Sequence, residues 1–194
     1  MLIIAVTALV AAVFINRARG REELAKNAAV ERLAEAEHAV DVSLTGVNEV
    51  LKFYPSAQTV RQRLLEQAAT DYARFASVQS DDLPLQLEAA RAQLRLGNVR
   101  LLLDQFDRAI SEFEAADQRL SAMESKLPAA TFERGIAASQ RADVLERAGR
   151  HADAKSAFER SLDLLERGAV SLSPDSPRRI EMADARLGLA RVLQ

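Results

Sequence analysis

Residues Ala89–Ala116 read AARAQLRLGNVRLLLDQFDRAISEFEAA, and residues Gly135–Leu165 read GIAASQRADVLERAGRHADAKSAFERSLDLL. Set in register, they place Gly97 over Ala142, Ala109 over Ala154, Phe113 over Phe158 and Ala116 over Ser161. A third stretch, IEMADARLGLARVLQ from Ile180, restarts the pattern at Leu187 and Gly188 and reaches Gln194. Self-similarity at a period of some tens of residues is the mark of stacked helical units, each burying its apolar face on the next. Small residues at the matched positions let two helices approach closely, and the aromatic fills the space between hairpins. The stretches therefore predict an all-α fold of helical hairpins stacked as a solenoid.

Working outward, Asp81, Asp82 and Pro84 form a helix start, Pro128 marks another, and Ser176 with Pro177 places an N-cap and first-turn proline at a third. Upstream, Val60, Leu64, Ala68, Tyr72 and Phe75 make a helical stripe, with Thr59 and Gln62 spaced for a capping box. Leu33, Val40, Leu44, Val47 and Leu51 make an earlier stripe on a helix that runs to about Lys52 and is stopped by Pro55. The two read as an antiparallel hairpin over residues 17–82, ahead of a repeat region over 83–194 that holds roughly two and a half repeats. No strand-like alternation with turn signals occurs.

Residues Leu2–Ile15 read LIIAVTALVAAVFI, with Arg17, Arg19 and Arg21 following. The run suits lipid but is shorter than the ~20 residues that cross a bilayer, as expected if residues 1–16 are a membrane anchor whose beginning lies upstream. A signal peptide and a buried core helix are the alternatives; the first lacks a basic leader and a small-residue cleavage site. The arginines after the run would keep the C-terminal part of the chain in the cytoplasm.

Composition narrows the function classes. Basic and acidic residues, 26 and 28, are mixed along the chain, so no basic field exists for nucleic acid. The absence of cysteine removes disulfides, thiolate nucleophiles and cysteine-zinc sites. His38 and His151 stand in different hairpins, and Glu35 with His38 is a two-ligand set without further partners. Asp81 and Asp82 read as capping residues rather than paired acids, and the seven glycines never cluster into a phosphate cradle. The expectation is a chain that is not an enzyme and takes no cofactor or metal.

The Leu96-Gly97 pair with Ala109, Phe113 and Ala116, and Ala142, Gly149, Ala154, Phe158 and Ser161 after them, resemble the tetratricopeptide repeat family. Gln93 and Ala138 stand where that motif has an early aromatic, and Gly97, Ala142 and Gly188 fall 45 and 46 residues apart against the usual ~34. Longer second helices and polar loops around Ser121–Pro128 and Gly168–Pro177 would absorb the excess. The apolar run, its arginine flank, AVDVSLTGVNEVL, TVRQRLLEQAATDYARFA and the long repeats together resemble the C-terminal part of bacterial membrane serine/threonine protein kinases. That likeness implies the docking or sensor part of such a kinase, outside the cytoplasm, against the arginine argument. The kinase's glycine-rich loop, HRD and DFG are not in this chain.

The tetratricopeptide resemblance implies a membrane-anchored scaffold that grips another protein or peptide in the groove of its first helices. Its groove positions fall on Arg91, Leu94, Asn98, Leu101 and Leu102, then Ser139, Asp143, Glu146 and Arg147, then Met182, Ala185, Arg186 and Leu189. Asn98 and Arg186 match two members of the family's carboxylate clamp, but Leu94 and Met182 stand where its lysines belong, so the clamp is incomplete. The other reading covers Leu94, Leu101 and Leu102 by the preceding hairpin and leaves Arg91 and Arg186 as solvated charges. An unfinished third repeat would also leave an apolar face open to self-association.

Overall fold

The computed structural model describes residues 53–170 and 180–194, with isolated positions at 28, 30–32, 35 and 51. The apolar run at 2–15, the stripe positions Leu33, Val40, Leu44 and Val47, His38 and the Ser176–Pro177 cap lie outside the described residues. Among the described residues, six α-helices come after a short 3-10 turn at Pro55–Ala57: α1 Gln58–Ala76, α2 Leu83–Leu102, α3 Phe106–Met123, α4 Ala129–Arg147, α5 His151–Ala169 and α6 Ile180–Val192. No strand occurs among these residues, and none of their helices is long and apolar enough to cross a membrane.

Each helix packs along its sequence neighbour, and the short connections make successive helices antiparallel. Alternate helices α2, α4 and α6 also touch one another, so they share one face. The layout is a row of helical hairpins. Its extra length per hairpin sits in the helices themselves, since α2 to α5 run 18 to 20 residues. The polar loop expected around Ser121–Pro128 shrinks because α3 continues to Met123.

The repetition is visible in backbone geometry. At the end of α2 the chain turns through Asp104 at φ 56°, and at the end of α4 it turns through Gly149 at φ 75°. In the first turn Leu103, Asp104 and Gln105 donate their N–H groups to Val99, Leu101 and Arg100. In the second, Ala148, Gly149 and Arg150 donate to Val144, Glu146 and Leu145, the same pattern in the same order. Both are left-handed helix ends in which free carbonyls find donors, and the next helix starts at once.

The matched small and aromatic residues form the core. Ala109, Phe113, Ala116, Ala142, Ala154 and Phe158 are all buried in one cluster with Leu145 and Leu165. A Cβ on Gly97 would come within 2.5 Å of the Phe113 ring, so glycine there permits the α2–α3 approach. Gly168 of α5 lies so close to α4 that a Cβ would stand 2.5 Å from the Phe132 backbone nitrogen. Ser161, fully buried, donates its hydroxyl to the Gly135 carbonyl at 2.8 Å, tying α5 to α4. On the side away from the shared face, Asp117 of α3 accepts from Arg134 of α4 at 2.8 Å and from Arg160 of α5 at 2.6 Å. Arg134 also reaches Glu124, which accepts from the Thr131 hydroxyl.

Three local expectations are corrected. Asp82 caps α2, accepting from the Leu85 N–H at 3.2 Å, but Thr59 and Gln62 form no capping box. The turn at Pro55–Ala57 starts α1 at Gln58, two residues early, and Gln62 bonds forward to Glu66 instead. On α1 the buried face is Leu65, Ala68, Ala69, Tyr72 and Ala76, the first four of which cluster with Leu96 and Val99 of α2, while Val60 and Leu64 are exposed. The Leu-Gly pairs also differ in use. Leu96 is 3% exposed and Gly97 faces Phe113 of the following helix, whereas Leu187 is 62% exposed and Gly188 faces Phe158 of the preceding one. The helix α6 is thus turned about its axis relative to α2, so that Ala185 and Gly188 form its buried face.

Candidate functional site

The groove positions differ in burial and pairing. Leu94 and Ser139 are buried, Leu94 within the main core, so neither is open to a partner. Met182 and Leu189 pack against that same core and Ala185 is fully buried, because the rotation of α6 turns these positions inward. Leu101 is half-buried against the core, and Leu102 is at the margin of exposure.

Arg91 is structurally committed. Its Nε donates to Glu133 of α4 at 2.8 Å and its Nη1 to Glu88 at 2.6 Å. The Glu133 side chain is 3% exposed, so Arg91 neutralises a charge that would otherwise be costly to bury and fastens α2 to α4. Burial works against the Arg91 cation, but the two carboxylates outweigh it and hold the guanidinium above its ordinary range. Arg186 is drawn off the shared face: its guanidinium pairs with Glu166 of α5 at 3.3 Å, with both side chains well exposed. With Leu94 and Met182 in the core, the partial clamp of Asn98 and Arg186 is not assembled.

Asp143, Glu146 and Arg147 are brought together. They line an open cleft of about 490 Å³ with His151 at the start of α5 and Arg191 near the end of α6. One turn of α4 sets Asp143 and Glu146 on the same side, three residues apart. Arg191 spans them, its Nη2 donating to Asp143 at 2.8 Å and to Glu146 at 2.9 Å, with Nε reaching Glu146 at 3.3 Å. Burial pushes the Asp143 carboxyl above its ordinary value, and Arg191 offsets only part of the shift. Asn98, half-buried on α2, completes the polar positions of the shared face.

Arg191 is the site residue that sequence reasoning does not find. No local signal marks it, since its partners lie 45 to 48 residues away. The cleft offers two carboxylates, two guanidiniums and an imidazole, a set suited to hydrogen-bonding a polypeptide. Among the described residues no group of three metal-ligating side chains comes together. In comparisons with known proteins, no family model and no curated protein matches this chain.

Proposed function

We propose that this chain is a tetratricopeptide-type interaction module that binds another protein or a peptide along the face shared by α2, α4 and α6. The observation that carries the reading is the twofold occurrence of one helix-turn-helix unit, with its left-handed turns at Asp104 and Gly149. Hairpins stacked in a row leave an extended face rather than a closed pocket, and such faces suit polypeptides better than small molecules. The contact positions are narrower than the resemblance implies: Asn98, Leu102, Asp143, Glu146, Arg147 and His151 are open or half-open. Attachment to a membrane through residues 1–16 belongs to the same proposal and rests on the uncharged run alone.

The test retains partners on the immobilised full chain and compares two double variants. Asn98→Ala with Arg147→Glu alters the shared face. Lys155→Glu with Glu159→Lys reverses an exposed pair on α5 and leaves that face untouched. Loss of the same partners in the first variant only is the expected result. Retention in the first, or equal loss in both, would overturn the groove reading.

A further inference from the structure

We infer that α6 carries a homodimer seam, on which the α6 helix of a second copy packs antiparallel about a two-fold axis close to Leu187. The helix buries Ala185 and Gly188, and directly opposite them runs an apolar stripe of Ile180, Ala183, Leu187 and Ala190, spaced three, four and three residues apart. All four are exposed, Ile180 at 63%. Such spacing forms a single straight face on a helix and is the spacing of a two-helix seam. The two alanines beside Leu187 permit close approach of a second helix. A stripe of this kind, opposite the face already in use, can be filled only by something that comes from outside the described hairpins.

Charge indicates that a second α6 fits it. Asp184 and Arg191 are seven residues apart and so share one flank of the stripe, on either side of Leu187. In an antiparallel pair centred at Leu187, Asp184 of each copy stands across from Arg191 of the other. That flank is therefore self-complementary, as an isologous interface requires, while Arg186 on the other flank is held by Glu166 of α5 in its own copy. The partners are available for this. Asp184 is exposed and has no hydrogen-bond or ion-pair partner among the described residues. Arg191 uses Nε and one Nη toward α4, and its other Nη makes no bond among them. A parallel pair would instead bring Arg186 of each copy toward Arg191 of the other, which disfavours it. The seam uses neither Asn98 nor Arg147, so its failure and the failure of the groove reading are distinguishable.

Because the chain has no cysteine, single-cysteine variants of the full chain report the contact directly. Under mild oxidation, Leu187→Cys is expected to give a covalent dimer, since each copy presents it at the axis. Ser156→Cys, exposed on α5, is expected to give none. Adding Asp184→Lys to Leu187→Cys should lower the dimer yield roughly fivefold, because both reciprocal ion pairs become repulsive. The inference is overturned if Leu187→Cys cross-links no more than Ser156→Cys, as it would were the stripe covered by a different partner. It is equally overturned if Asp184→Lys leaves the yield unchanged, which would place the contact in another register.

Discussion

Replacing Gly168 by alanine sets two opposed effects against each other, and the structure decides between them. Within an isolated helix alanine is better than glycine by about 1 kcal/mol, so a helix-propensity argument expects stabilisation. In the fold, the added Cβ would stand 2.5 Å from the backbone nitrogen and 2.6 Å from the Cα of Phe132 on α4. Neither atom can swing away as a side-chain tip could. The Phe132 side chain, fully buried, has no room to yield either. The α4–α5 pair must separate, and overpacking of this kind costs about 3 kcal/mol at the upper end of its range. The net loss is then about 2 kcal/mol, which for a chain of this size lowers the thermal midpoint by roughly 6 °C. Urea unfolding of the full chain, followed by far-UV circular dichroism, measures it as a lower midpoint with an unchanged slope. Gly149→Ala is a useful contrast, since nothing lies within 4 Å of its Cβ and only the positive φ matters, at about 1 kcal/mol. A Gly168→Ala protein as stable as the parent, or more so, would refute the close approach of α4 and α5.

Further outcomes are expected. Asp104→Gly should raise stability by about 0.5 kcal/mol, because glycine holds the left-handed φ of 56° without strain, and a higher urea midpoint would show it. Arg91→Ala should cost about 3 kcal/mol by leaving the buried Glu133 without its guanidinium, whereas Arg186→Ala, whose pair is exposed, should change stability by less than about 0.5 kcal/mol. Equal effects from the two arginines would contradict that division. Burial pushes the Glu124 carboxyl up, but the Thr131 hydroxyl and the Arg134 guanidinium outweigh it and hold its value below the ordinary 4.5. As pH falls the unfolded chain takes up this proton before the folded one, so the contribution of Glu124 is complete above the ordinary value and is lost on passing below the depressed one. Glu124→Gln should therefore flatten the acid limb of a stability-against-pH curve, and an unaltered limb would count against the assignment.

The repeated unit was legible in the sequence because its determinants are local: a small residue, a turn, then an alanine and an aromatic at fixed intervals. Phe113, Phe158 and the alanines beside them lie buried at those positions, and Asp82 caps α2 as its place before Leu83 and Pro84 implied. The facing of individual helices was harder to read. In alanine-rich helices apolar residues surround much of the axis, so pattern alone does not distinguish Leu64 from Leu65 as the buried member, nor Leu187 from Gly188. For the same reason Leu94 and Ser139 read as groove positions although both are covered. The ion pairs that lock alternate helices, Arg91 with Glu133 and Arg191 with Asp143 and Glu146, join residues 42 to 48 positions apart. They depend on how the hairpins stack, which is a property of the assembled row.

The close approach of α4 and α5 has a mechanical consequence. A row of helices in which each touches little beyond its neighbours transmits a pulling force in series, so the weakest junction yields first. The junction of α6, with two buried residues and exposed arginine pairs, is a compliant element. The α4–α5 pair, with Gly168 against the Phe132 backbone and the buried Ser161 bond, is the stiff element. Under load the junction of α6 would part before the α4–α5 pair, so a ligand seated against α4 would outlast one held by α6.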